Sequence, residues 1–150
     1  MLSFYYTSLW RKIRKFENQV YELINNNLQP EEKYCMDPQM RRAVTSIAFN
    51  YSEGYGRMGD KEFSHFLSIA RGSAHEVDTQ LTLGEDFGYF PPNQELHDLA
   101  ERIIYELTLF MKKKERDYNH EGEDGEEGQP RLPRPPRKPP RPRPPRNDPQ

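Results

Sequence analysis

Apolar residues recur at three- and four-residue steps through four separate stretches of this chain, the spacing that lines one face of an α-helix. Leu9, Ile13, Phe16, Val20, Leu23 and Ile24 predict a first helix over about 7–27, ended by Asn25-Asn26-Asn27 and Pro30. Met40, Val44, Ile47 and Tyr51 predict a second, stopped by Gly54-Tyr55-Gly56. Its start is read at Asp37-Pro38, since Asp caps orphan amides and Pro at the first helical position loses no hydrogen bond. Phe63, Leu67, Ala70, Ala74, Val77 and Leu81 mark a third helix, capped by Asp60 and ending near Gly84–Gly88. Pro91-Pro92-Asn93 opens a fourth, carrying Leu96, Leu99, Ala100, Ile103, Leu107, Phe110 and Met111. Strand alternation is absent from the sequence. Four such helices joined by short loops predict an all-α, antiparallel up-down-up-down four-helix bundle.

Two departures from simple amphipathicity add to this picture. Ser46, Asn50 and Glu53 in the second helix, with Ser73 and Glu76 in the third, border the apolar stripes. An ordinary surface helix does not need them there, so they read as structural polar residues that serve close helix approach or bonding between helices. Trp10, Tyr21, Phe49, Ile69, Leu83, Tyr105 and Leu109 lie off the stripes altogether. Scattered apolar residues are common on monomers. Off-stripe residues on all four helices, aromatics among them, point to a subunit interface.

Composition divides the chain near Tyr118. Residues 119–128 carry five acids and three glycines with no apolar side chain. Residues 129–150 hold ten of the 14 prolines, seven basic residues, one acid and a single Leu. Neither segment buries enough apolar surface to offset its ordering entropy, so a bundle over 1–118 and a disordered tail over 119–150 are expected. The tail's Pro130–Pro145 stretch favours polyproline II, and Pro133-Arg-Pro-Pro136-Arg-Lys138 fits a Pro-rich ligand pattern. The net charge of −2 conceals −3 on residues 1–118, −5 on 119–128 and +6 on 129–150.

The local charges are more informative than their sum. In an up-down-up-down bundle, the start of the first helix, the turn between the second and third, and the end of the fourth share one end. Arg11, Lys12, Arg14, Lys15, Arg57, Lys61, Lys112, Lys113, Lys114 and Arg116 are then neighbours, a basic end suited to phosphate backbones. Complementing the helix dipole accounts for residues 112–116 but not for 11–15, which sit at a helix start. Glu31, Glu32, Asp37, Glu85, Asp86 and Glu95 collect at the opposite end.

Chemistry-bearing motifs are weak. Gly54-Tyr-Gly56-Arg-Met-Gly59 spells the dinucleotide fingerprint, with Asp78 about where an acid is wanted, yet the preceding segment is helical. Without a strand–turn–helix frame, the glycines read as an interhelical turn. Glu62-x-x-His65 has the spacing of di-iron bundle sites, but those need a second such pair, and the fourth helix offers Gln94-x-x-His97. His75 and His120 have no partner that spacing identifies. No catalytic site, metal or cofactor is expected. Cys35 is the single cysteine, so neither an intrachain disulfide nor a cysteine zinc site is available. The start, MLSFYYTSLWRKIRKF, reverses the charge order of a signal peptide, and no apolar run reaches spanning length. A cytoplasmic protein is expected.

Leu9-Trp10, Gln39-Met40-Arg41-Arg42-Ala43, Ser46-Ile47 with Asn50, and Glu53-Gly54-Tyr55-Gly56-Arg57 together resemble a bacterial four-helix-bundle protein family. Glu62-Phe63, Phe66-Leu67, Ile69-Ala70, Gly72-Ser73 and Glu76 extend the likeness, which covers roughly residues 7–115. The first described members are encoded in intervening sequences of large-subunit ribosomal RNA genes. A distant branch holds the accessory variability proteins of diversity-generating retroelements. Where the family usually reads Ser-Ile-Pro-Ser-Asn-Ile-Ala-Glu-Gly, this chain has Ser46-Ile47-Ala48-Phe49-Asn50-Tyr51-Ser52-Glu53-Gly54, and losing the Pro should straighten the second helix. Ala74 stands where the family often has Leu.

The resemblance implies a homopentameric bundle without enzyme activity, working with RNA or, in the retroelement branch, with a reverse transcriptase and nucleic acid. Residues and resemblance together lead to a non-enzymatic oligomer that binds RNA or another nucleic acid through its basic end, as an accessory subunit to a polymerase-type partner. The alternative is a protein-interaction scaffold that binds no nucleic acid.

Overall fold

The computed structural model describes residues 7–28, 35–57 and 59–123, with the backbone alone at 60, 114, 115 and 117–123. They form α1 (Ser8–Asn27), α2 (Met36–Gly56), α3 (Asp60–Asp86) and α4 (Gln94–Glu123), with no strand among the described residues. The Pro/Arg-rich tail lies outside them. α4 continues past Tyr118 into the beginning of the acidic run.

Two helices begin on side-chain caps. The Thr7 hydroxyl accepts from the Trp10 amide at 3.1 Å, and Asn93 Oδ1 accepts from the Leu96 amide at 3.1 Å. The other two starts differ from the sequence expectation. α2 begins at Met36 with Cys35 in the cap position, so Asp37 falls inside the first turn, where Arg41 one turn on binds its carboxylate. α3 begins at Asp60 itself, with Gly59 in the cap position. A missing side-chain cap costs about 1 kcal/mol. One fully buried Leu or Ile contributes roughly 1.5–3 kcal/mol, so packing overrides both weak starts.

All the apolar residues that define the stripes of α1, α2 and α3 are buried, and in α4 Leu96 through Leu107 are buried with Phe110 and Met111 half-buried against them. Ala43, Ala48 and Phe90 join this core. α2 ends at Gly56, the last residue of the expected stop, and Gly54 falls inside the helix. Gly54 is a contact point: a Cβ there would lie 3.3 Å from the Phe66 Cβ, so glycine lets α2 and α3 approach closely. Gly84 does the same for the following loop, since a Cβ would fall 2.3 Å from the Phe90 ring. Gly88, at φ 74°, turns the chain back so that Phe90 can reach that place.

Side-chain pairings run in opposite senses along consecutive helices. Thr7 meets Tyr51 while Asn25 meets Arg41, Ser46 meets Ser73 while Gly54 faces Phe66, and Arg71 meets Thr108 while Asp78 meets His97. Lys12 pairs with Glu106 and Lys15 with Glu95, which closes the circuit between α1 and α4. α3 packs most extensively, against both α2 and α4.

Candidate nucleic-acid interface

A ladder of aromatic rings ties together the start of α1, the end of α2 and the start of α3. Trp10 stacks on Tyr51 with centroids 6.1 Å apart, Tyr51 meets Tyr55 at 5.1 Å, and Tyr55 meets the edge of Phe63 at 5.0 Å. The Tyr51 hydroxyl lies 3.0 Å from the Thr7 hydroxyl, and burial pushes its pKa above the ordinary phenol range. Lys12, bound to Glu106, brings the second half of α4 to the same end.

This end carries cations of two kinds. Lys12, Lys15 and Arg57 are neutralised, by Glu106, Glu95 and Glu53 respectively. Lys15 in particular is drawn away from the others, because Glu95 sits in the first turn of α4 at the opposite end. Arg57 also lies over the Phe66 ring, 5.4 Å from its centroid. Arg11, Arg14, Lys61, Lys112, Lys113 and Arg116 are exposed and form no ion pair among the described residues. Arg14 still acts on Glu17, whose carboxyl pKa is raised by burial against the lowering pull of that guanidinium. The side chain of Lys114 lies outside the described residues.

Of the acids expected at the far end, Glu31 and Glu32 fall outside the described residues, Asp37 holds Arg41, and Asp86 is exposed. Glu85 accepts from the Asn93 amide at 2.9 Å and stands 3.3 Å from His97 Nε2. His97 Nδ1 lies 2.6 Å from Asp78. This bridge between α3 and α4 was not legible in sequence, where no spacing links positions 78, 85 and 97. Glu62 and His65 are both exposed, His65 resting edge-on against Phe66. Among the described residues, no group of three or more His, Cys, Asp or Glu is placed to hold a metal ion, and no helix is long and apolar enough to cross a membrane.

The residues read as interfacial separate into two sets. Trp10 and Tyr21 are half-buried within the bundle, Trp10 on Tyr51 and Tyr21 beneath the Arg41 guanidinium at 4.8 Å. Phe49, Ile69, Leu83, Tyr105 and Leu109 are exposed, Phe49 to 72% and Tyr105 to 64%. Phe87, 60% exposed, belongs with them and was missed because it follows the last α3 turn, beyond the helical periodicity. On α4, Arg102, Tyr105, Leu109, Lys113 and Arg116 follow at three- and four-residue steps with Lys112 beside them, so exposed apolar residues and cations share one outer face.

Of the polar residues bordering the stripes, only Ser46 and Ser73 join two helices, their hydroxyls 2.8 Å apart. Asn50 donates to the Ser46 carbonyl and hydroxyl, Glu53 binds Arg57, and Glu76 accepts from Gln80, each within its own helix.

The model of the 23S rRNA-intervening sequence protein family matches residues 7–109, well over half of the chain. The chain belongs to that family. A crystal structure from Bacteroides thetaiotaomicron VPI-5482, described as a protein with unknown function from the S23 ribosomal protein family, superposes with a TM-score of 0.62. It is 22% identical and covers 69% of this chain and 98% of its own, which establishes a shared fold. No curated protein matches. The match to the intervening sequence family takes in α1, α2, α3 and α4 as far as Leu109, and stops before Lys112, Lys113 and Arg116.

Proposed function

We propose that this intervening sequence family member is a non-enzymatic subunit that assembles with copies of itself and holds RNA on its basic end. The observation that supports the reading most is the set of exposed cations with no ion pair among the described residues, at the end where Lys12 and Arg57 are already neutralised. A helix dipole gives no reason for Arg11 and Arg14 at the start of α1, nor for Lys112, Lys113 and Arg116, which lie seven or more residues before the end of α4 at Glu123. Phosphate backbones do, and such binding releases counterions and weakens as salt rises. Self-assembly is supported by Phe49 and Tyr105, large apolar side chains exposed on separate helices. RNA is chosen over DNA only on the family's association with an intervening sequence of 23S rRNA. An accessory role beside a reverse transcriptase is the finer form of the same proposal.

The test is a salt titration of binding to one structured RNA and one duplex DNA. Replacing Lys112, Lys113 and Arg116 together by Glu should weaken RNA binding by at least about tenfold and lower the salt slope by two to three units, nearly one per lost phosphate contact. Arg42→Glu, an exposed position in the first half of α2, serves as the control and should change neither. Wild-type protein that binds neither nucleic acid at ~50 mM salt would refute the reading. The second reading, a protein-interaction scaffold, would then take its place, favoured by the same exposed Phe49 and Tyr105.

A further inference from the structure

We infer that a groove at the far end of the bundle, between the start of α2 and the end of α3, is a docking site for the chain's own Pro139–Arg146 segment. The groove has a volume of about 260 Å³ and is lined by Met36, Leu83, Phe87 and Tyr89, together with Cys35, Gln39 and Gln80. Phe87 and Tyr89 meet edge-on, centroids 5.8 Å apart and planes at 68°, which presents crossed ring faces of the kind that receive proline rings. Phe87 and Leu83 are 60% and 40% exposed, so this apolar wall is only partly covered by the described residues.

Gln80 also lines the groove, its amide nitrogen donating to Glu76 and its Oε1 buried with no hydrogen-bond partner among the described residues.

Charge and length both bear on this occupant. None of the groove-lining residues is charged; around them, exposed Glu76 accepts from Gln80 and exposed Asp86 adjoins Phe87, against one exposed cation, Arg42, a turn past Gln39. The sequence Pro139-Pro-Arg141-Pro-Arg143-Pro-Pro-Arg146 carries three guanidiniums and no acid. The groove is level with the start of α4, because Glu85 of the same α3 turn bonds the Asn93 amide. α4 has 30 residues, so its end is about 45 Å away at 1.5 Å per residue. An extended chain advancing ~3.1 Å per residue covers that distance in about 15 residues, and from position 124 it arrives near 138. The Pro139–Arg146 run is therefore the part of the tail that meets the groove. This inference stands independently of nucleic-acid binding.

Cys35, the sole cysteine and exposed beside the groove, provides the reporter in the full-length protein. A Pro142→Cys chain placed in oxidised glutathione should close an intramolecular disulfide with Cys35, read by mass and by gel mobility. Adding Phe87→Ala, or replacing Arg141, Arg143 and Arg146 by Glu, should slow closure at least about tenfold, since each removes one half of the recognition. Closure at an unchanged rate in both variants would mean that the tail merely diffuses on its tether, and the inference fails. A disulfide-linked dimer in place of the closed monomer also overturns it, because the groove would then hold a neighbour's tail.

Discussion

His97 is held between Asp78 and Glu85, with little of its side chain left to solvent. Burial lowers its pKa, but hydrogen bonding and attraction from Asp78, then from Glu85, outweigh that and leave it raised above 6.5. A raised folded-state pKa means that the protonated form is favoured by folding. The stabilisation is fully present below the unfolded value of about 6.5 and is lost as pH rises through the higher folded value. Urea unfolding of the wild type and His97→Gln across pH 5.5 to 8.5 should therefore show a gap that is largest at the acid side and shrinks upward. A gap that widens with pH would reverse the assignment. The signal was hidden in sequence because its three residues share no register. His97 is three residues from Gln94, which looked like a failed motif, and its partners lie on another helix.

At the scale of elements, α2 and α3 are joined by a hydrogen-bond relay as well as by packing. Asn50 donates to the Ser46 hydroxyl, Ser46 stands 2.8 Å from Ser73, and Ser73 donates to the Ile69 carbonyl. With the Ser73 proton committed to Ile69, Ser46 is the donor between the two. Small hydroxyls and Gly54 allow this close approach, where larger side chains would hold the helices apart. A Ser46→Ala, Ser73→Ala double-mutant cycle should give a coupling energy of about 0.5–1.5 kcal/mol, the net worth of one partly buried hydrogen bond. Additive single effects, measured by chemical denaturation, would show that the two hydroxyls are independently solvated. Ser46 and Ser73 could be picked out in sequence as polar residues beside an apolar stripe. Which of the five such residues crosses between helices could not be, since Asn50, Glu53 and Glu76 have the same edge placement and turn back on their own helices.

The whole molecule leaves large apolar side chains in water on α2, α3 and α4, together with Phe87 beyond α3. Self-assembly would cover them. Light scattering on the purified chain should return a mass near five subunits, and Phe49→Asp should shift it downward without unfolding the protomer, because Phe49 is 72% exposed and contributes little to the core. A monomer at micromolar concentration would remove the assembly from the proposed function. A smaller closed oligomer would keep the interface and change only its symmetry. Trp10 and Tyr21 are poor probes of this question, since substituting either disturbs packing on Tyr51 or Arg41 within one protomer.

The apolar periodicity by itself determined the all-α class, the four helices and nearly every core residue, because burial of a 3.6-residue stripe leaves only one face of each helix free to face inward. The sequence also opened the fourth helix at Pro91-Pro92-Asn93, where Asn93 caps it, yet it put the start of α2 two residues late, where the Asp37 carboxylate is taken by Arg41. Tertiary structure alone decided the rest. It placed Phe90 against Gly84, neutralised Lys12 and Lys15 through Glu106 and Glu95, and turned Trp10 and Tyr21 inward. Each of these depends on contacts between residues 6 to 94 positions apart, and local spacing carries no information about which distant carboxylate or ring a side chain will meet.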